Sequence, residues 1–243
     1  MDTKYLTRTI KKEKLTSSHL EETKDIHVYL PPEYDDSLLY PLLILHDGPD
    51  YLNLGRIATQ ANQLLSKNEM VPVVMAFVPV DKTKRTAQYS PTGAFHEAHE
   101  LMIVEELLPL MQQRYAVDTS TDKLVIGGSS LGGTASLHIA LEYPEICNRV
   151  LSQSGAFLEQ TVHDLSRVYS LQFLEIYQSI GLSETAIETH MGTLDLVARN
   201  REVHQLLLEK RAHVAYHEEA GDHTWGFWQR ELPRALKFFF STN

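Results

Sequence analysis

A serine, a carboxylate and a histidine in the second half of this chain could together carry out acyl transfer. The serine is Ser130, in Gly127-Gly128-Ser129-Ser130-Leu131-Gly132-Gly133. Read as Gly128-x-Ser130-x-Gly132, the spacing suits a nucleophile on a sharp turn between a strand and a helix. The residues two before and two after such a serine must lack a β-carbon, so that strand and helix can pass closely. The N-terminal N–H groups of the new helix would face a developing oxyanion. A plain Gly/Ser-rich turn after a buried strand is the competing reading. The apolar Leu124-Val125-Ile126 before the turn and the helical 134–143 stretch after it favour the nucleophile.

A serine hydroxyl needs a base, and the base needs a partner that fixes its tautomer. After an elbow of this kind the order is serine, acid, histidine. The histidines available are His138, His163, His190, His204, His213, His217 and His223. His138 and His204 fall in helical stretches, and His190 and His217 in strand runs. His223 lies in a loop, Ala220-Gly221-Asp222-His223-Thr224, between the last strand and the last helix, and is the expected base. For the acid, Met191-Gly192-Thr193-Leu194-Asp195 follows what reads as the penultimate strand, so Asp195 is expected. The competing role for Asp195 is to cap the helix that follows. Asp222 is the rival acid, but an adjacent carboxylate seldom reaches the far nitrogen of its own neighbour.

An oxyanion hole requires two converging N–H donors. Leu131, after the nucleophile, should supply one. The other should come from the loop His46-Asp47-Gly48-Pro49-Asp50-Tyr51. Pro49 has no N–H, which leaves Asp50 or Tyr51.

These residues need a scaffold that gathers loops at one edge. Strands are expected at 25–30, 42–45, 71–80, 124–126, 150–154, 186–191 and 213–218, several of them apolar throughout, as strands buried on both faces are. Helices are expected at 54–65, 96–115 (with Pro109 kinking or restarting it), 134–143, 195–211 and 225–240. The 159–181 stretch is amphipathic and fits awkwardly; within 156–185 it reads as a small cap. This alternation implies an α/β fold with a mostly parallel sheet and helices on both faces, one domain over 1–243. Loops beyond the strand C-termini of such a sheet meet at one edge.

Twenty-two basic against 32 acidic residues give a net charge of −10, which argues against nucleic acid or an anionic membrane as partner. The lone Cys147 excludes an internal disulfide and supports no metal cluster. The first 14 residues are charged, without a signal-peptide apolar core, and no run reaches membrane-spanning length, so the reading is cytoplasmic. A homo-oligomer is left open.

Together, the 46–51 loop, Arg85 to Tyr89, Glu105-Glu106-Leu107-Leu108-Pro109, the elbow, Ser152-Gln153-Ser154-Gly155 and His223-x-Trp225-x-x-Trp228 resemble the esterase D-like branch of the α/β-hydrolases, near the enterochelin-esterase-type proteins. The resemblance covers about residues 28–236. It implies an α/β-hydrolase fold, a triad on Ser130, Asp195 and His223, and an oxyanion donor at Leu131. Gln88 departs from a glutamate common in relatives, and the N-terminal domain of the larger siderophore esterases has no counterpart here.

The expectation is ester hydrolysis through an acyl-enzyme, with no metal or organic cofactor, on a small acyl ester or a siderophore lactone. Tyr51, Arg85, Tyr89, Trp225 and Trp228 are candidate substrate contacts, although at least one tryptophan is expected to anchor the last helix instead. A non-catalytic binding module on the same fold and an acyltransferase with the same triad are the alternatives.

Overall fold

The runs that are apolar throughout form the middle of a nine-stranded sheet, and their alternate residues build two cores. The computed structural model describes residues 2–189 and 192–242. Its strands are β1 (Thr9–Ser17), β2 (Glu22–Leu30), β3 (Tyr40–His46), β4 (Val74–Val78), β5 (Val117–Asp118), β6 (Leu124–Ser129), β7 (Arg149–Gln153), β8 (Glu175–Gly181), β9 (Ile187–Thr189), β10 (Gly192–Leu194) and β11 (His213–Glu219). The sheet order is β1-β2-β4-β3-β6-β7-β8-β11, with β5 beside β3. From β4 to β11 the ladders are parallel, while β2 runs antiparallel to β4 and to β1. The expected mostly parallel α/β sheet with helices on both faces is the architecture present.

Leu42, Ile44, Val74, Ala76, Leu124 and Ile126 face one core, and Leu43, Leu45, Met75, Phe77 and Val125 face the other. Period-two geometry divides each apolar strand between two helical layers. The first core is covered by α4 (His96–Leu101), a π-helical turn over Met102–Leu107, α5 (Leu108–Arg114) and α6 (Leu131–Glu142). The second is covered by α1 (Gly48–Asn53), α2 (Ile57–Ser66) and α9 (Trp225–Phe240). The short α3 (Arg85–Tyr89) lies near the elbow, and α7 (Glu159–Arg167) and α8 (Leu196–Glu209) pack beside β7 and β8. Pro109 has no N–H to offer the carbonyl of residue 105, and the helical course passes it through the π turn.

Four sequence expectations are corrected. The helix expected at 54–65 begins only at Ile57, as α2, after Arg56 with φ +50°, and the expected loop before it holds the separate helix α1 over Gly48–Asn53. The 159–181 stretch ends in β8, an inner strand between β7 and β11, so the Glu175–Gly181 part of the expected cap segment 156–185 belongs to the sheet. The buried Gln178 and Ser179 hid β8, because they break its apolar run. The 186–191 strand is instead half of the separate β9–β10 hairpin; His190 and Met191 lie outside the described residues. β1 was not expected: it is an edge strand, and its exposed charges mask the alternation. Among the described residues no helix is long and apolar enough to cross a membrane.

Candidate active site

Ser130 joins β6 to α6 with φ 56° and ψ −127°. A non-glycine residue held there costs about 1–3 kcal/mol, and the surroundings must supply it. Its N–H donates to the Gln153 carbonyl at 2.9 Å, and its own carbonyl accepts from Ala156 N–H at 3.1 Å. The neighbours leave no room for side chains. A β-carbon on Gly128 would lie 2.5 Å from the Gly132 carbonyl carbon, and one on Gly133 would lie 2.6 Å from Ser152 Oγ. Leu131 opens α6, so its N–H has no intrahelical acceptor and is left free beside Ser130.

His223 reaches this turn from the loop after β11. Its Nε2 lies 2.9 Å from Ser130 Oγ, and its Nδ1 lies 2.6 Å from Oε2 of Glu184. Nδ1 against a carboxylate makes it the protonated nitrogen, which leaves Nε2 to accept the serine proton. Glu184 is fully buried, and both of its oxygens are occupied. Oε1 accepts from Ser154 Oγ at 2.7 Å and from Gly181 N–H at 2.9 Å, while Oε2 faces the imidazole. Ser154 Oγ in turn accepts from Trp228 Nε1 at 2.8 Å, and the Trp228 ring meets His223 edge to face. The hydrogen bonds therefore run unbroken from the last helix to Ser130.

Asp195 is not in this chain of contacts. Its carboxylate accepts from Ala198 N–H at 2.9 Å and caps α8. The reason lies in the topology: β8 is the penultimate sheet strand, so the loop that presents an acid at its C-terminal end is 182–186, which holds Glu184. The strand reading Ile176-Tyr177 followed by Gly181, just before that glutamate, was the available signal. Asp222 binds its own neighbour Thr224. Of the other histidines, His138 bonds Thr161, His163 lies beside Asp164, His204 stacks on Tyr216, His213 lies near Glu175 and His217 packs on Tyr177.

The expected second oxyanion donors are also displaced. Asp50 and Tyr51 both donate their N–H to the Asp47 carbonyl, at 2.9 and 3.3 Å. The side chain of Tyr51 is buried, with its hydroxyl on Gln153 Oε1. A cleft of about 260 Å³ opens over Ser130 and His223, walled by Arg85, Lys82, Asp50, Trp225 and Trp228. Arg85 grips the buried Asp47 with Nε and Nη2 and also reaches the Ser129 carbonyl. Burial opposes its charge, but the bonds to Asp47 and that carboxylate's charge outweigh burial and raise its pKa. Tyr89 is fully buried and so is no substrate contact; its hydroxyl accepts from Asp47 N–H, and burial pushes its pKa well up. Trp225 is half-buried at the cleft, and Trp228 is the buried anchor. Gln88 is buried between Lys24 and Glu22, away from the cleft.

Beneath the elbow, His46 Nε2 lies 2.9 Å from His99 Nε2, and His46 Nδ1 lies 3.0 Å from Ser136 Oγ. Burial lowers the pKa of His46 to about 4 and holds that of His99 well below its ordinary value, so this pair is neutral packing under β6.

The sequence matches the family described as "Putative esterase" over residues 17–239. It is 34% identical to an uncharacterized Bacillus subtilis protein, YjcH, across 94% of this chain and 96% of that one. The iron(III) enterobactin esterase of Dickeya dadantii is 28% identical over 58% of this chain, but that match spans only 32% of the esterase. Among solved structures, the Shigella flexneri enterobactin esterase crystallised in the presence of enterobactin superposes with a TM-score of 0.81 at 21% identity. That alignment covers 95% of this chain and 58% of the esterase. A ferulic acid esterase superposes with a TM-score of 0.78 at 17% identity, covering 96% and 98% of the two chains.

Proposed function

The chain belongs to the "Putative esterase" family of the α/β-hydrolase superfamily and is a carboxylic ester hydrolase, and on that premise we propose that it works through a Ser130–His223–Glu184 triad. One observation carries the reading: a single imidazole bonded through Nε2 to Ser130 Oγ at 2.9 Å and through Nδ1 to a fully buried carboxylate at 2.6 Å.

Ser130 Oγ attacks the ester carbonyl as its proton passes to His223 Nε2. Glu184 holds the imidazole in the receptive tautomer and stabilises the imidazolium. The carbonyl oxygen becomes an anion that takes the Leu131 N–H. The second donor in this reading is the N–H of Gly48, since those of Asp50 and Tyr51 are engaged and Pro49 has none. Collapse expels the alkoxide, which takes the proton from His223. Water, deprotonated by the same nitrogen, then cleaves the acyl-enzyme and restores Ser130.

The substrates are small acyl esters. The fold shared with enterobactin esterase and ferulic acid esterase supports an aromatic acyl ester or a siderophore-type lactone as the first compounds to screen. Hydrolysis of p-nitrophenyl acetate by the native protein and by Ser130→Ala tests the reading. The alanine variant should turn over roughly a thousandfold more slowly or worse, and equal rates would leave a non-catalytic module in its place. Adding alcohols and analysing products separates hydrolysis from transfer to another acceptor.

A further inference from the structure

The cleft over Ser130, about 260 Å³, is small against the roughly 300–1,000 Å³ of pockets that bury a ligand. A second cavity of about 630 Å³ lies between the start of α7 and the start of α8. Its walls are tied directly to the triad. The 157–160 wall follows directly on Ala156, whose N–H holds the Ser130 carbonyl at 3.1 Å. The α8 wall begins at Leu196 and Val197, whose N–H groups donate to the Glu184 carbonyl at 2.9 and 3.3 Å. Leu158 and Leu196 line the cavity and also pack in the apolar cluster that holds Leu131, the residue after the nucleophile.

Resting on the triad proposed above, we infer that this cavity receives the acyl part of the substrate, and that this acyl part is apolar with a neutral or cationic end. The side follows from the proton path. His223 must hand its proton to the departing alkoxide, so the alcohol lies toward His223 and Trp225, and the acyl chain lies on the other flank, beyond Leu131. The chemistry follows from the walls. Phe157, Leu158 and Leu196 supply apolar surface. Around them stand three carboxylates, Glu159, Asp195 and Glu202, against the single guanidinium of Arg199, which is itself bonded to Glu202 at 3.0 Å. An anionic acyl group entering there meets like charge at short range, whereas an ammonium or a hydroxyl meets acceptors.

The test uses p-nitrophenyl esters whose acyl groups match in length: 4-(trimethylammonio)butyrate, hexanoate and hemiglutarate, with acetate as reference. The native protein should favour the cationic over the anionic ester by at least tenfold in kcat/KM, and Glu159→Lys should shrink that ratio severalfold. Ala198→Trp projects an indole into the cavity from an exposed position and should lower the hexanoate-to-acetate ratio of kcat/KM by tenfold or more. Glu159→Trp, exposed on the opposite wall, should do the same if Ala198→Trp folds poorly. A preference for the anionic ester, or hexanoate-to-acetate ratios untouched by either tryptophan, overturns the inference. Acetate hydrolysis that survives Ser130→Ala instead overturns the triad on which it rests, and the two failures are read from different variants.

Discussion

At the scale of single residues, the site turns on which carboxylate meets His223. Glu184 is fully buried, with both oxygens occupied, and Asp195 is bound to the backbone of its own helix. These environments predict different losses. Glu184→Gln removes the charge that stabilises the imidazolium and should slow turnover of p-nitrophenyl acetate by roughly a hundredfold or more. Asp195→Ala removes an N-cap and should cost about 1 kcal/mol of stability, read as a lower unfolding midpoint, without the collapse in turnover. The reverse ranking would return the acid's role to Asp195. Residue types and chain order pointed to Ser130 and His223 because an elbow serine needs glycines beside it and a loop histidine after the last strand. For the acid they pointed to Asp195, with Asp222 as rival, and passed over Glu184, because the strand before it, β8, was not recognised. That choice depends on which strand is penultimate in the sheet.

At the scale of elements, the β6–α6 turn fixes how Ser130 is presented to His223. Ser130 is held at φ 56° because β7 and the segment after it grip its N–H and its carbonyl. Gly128→Ala would set a methyl group 2.5 Å from the Gly132 carbonyl carbon, backbone that can yield only by opening the turn. A misplaced nucleophile should slow turnover by about a hundredfold with near-native far-UV circular dichroism. Native-like activity in that variant would mean the elbow is not tightly packed. The central strands were legible because strands covered on both faces are apolar throughout. β8 was not, because Gln178 in its middle serves a partner remote in sequence, donating to Asn200 of α8. β1 was hidden for the opposite reason, since an edge strand wears its charges outward.

At the scale of the whole molecule, the buried histidines set a pH dependence. Burial lowers His46 and His138 from 6.5 to about 4, and holds His99 well below its ordinary value. In the unfolded chain these groups take up protons near pH 6.5, but in the folded protein His46 and His138 do not until about pH 4. The unfolded state therefore binds more protons between about pH 6.5 and 4, and stability must fall as the pH is lowered through that window. Below about pH 4, His46 and His138 protonate in both states and add no further slope. The unfolding midpoint should accordingly be several degrees lower at about pH 5 than at about pH 7.5. An unchanged midpoint would mean these side chains are already solvated in the native state.

By itself, the sequence determined what is periodic or local: a parallel sheet with two helical layers, a glycine-flanked serine between strand and helix, and a histidine on the final loop. Burial on both faces and the steric demands of a tight turn write themselves into residue types at fixed spacing. Only the tertiary structure decided that Glu184 and not Asp195 meets His223, that the N–H groups of Asp50 and Tyr51 are engaged, and that Tyr89 is buried. Glu184 meets His223 across 39 residues of chain, and Tyr89 meets Asp47 across 42. Asp50 and Tyr51 are lost because the loop after β3 winds into α1 on the Asp47 carbonyl. A carboxylate or a phenol carries no mark of such a meeting until the sheet is assembled.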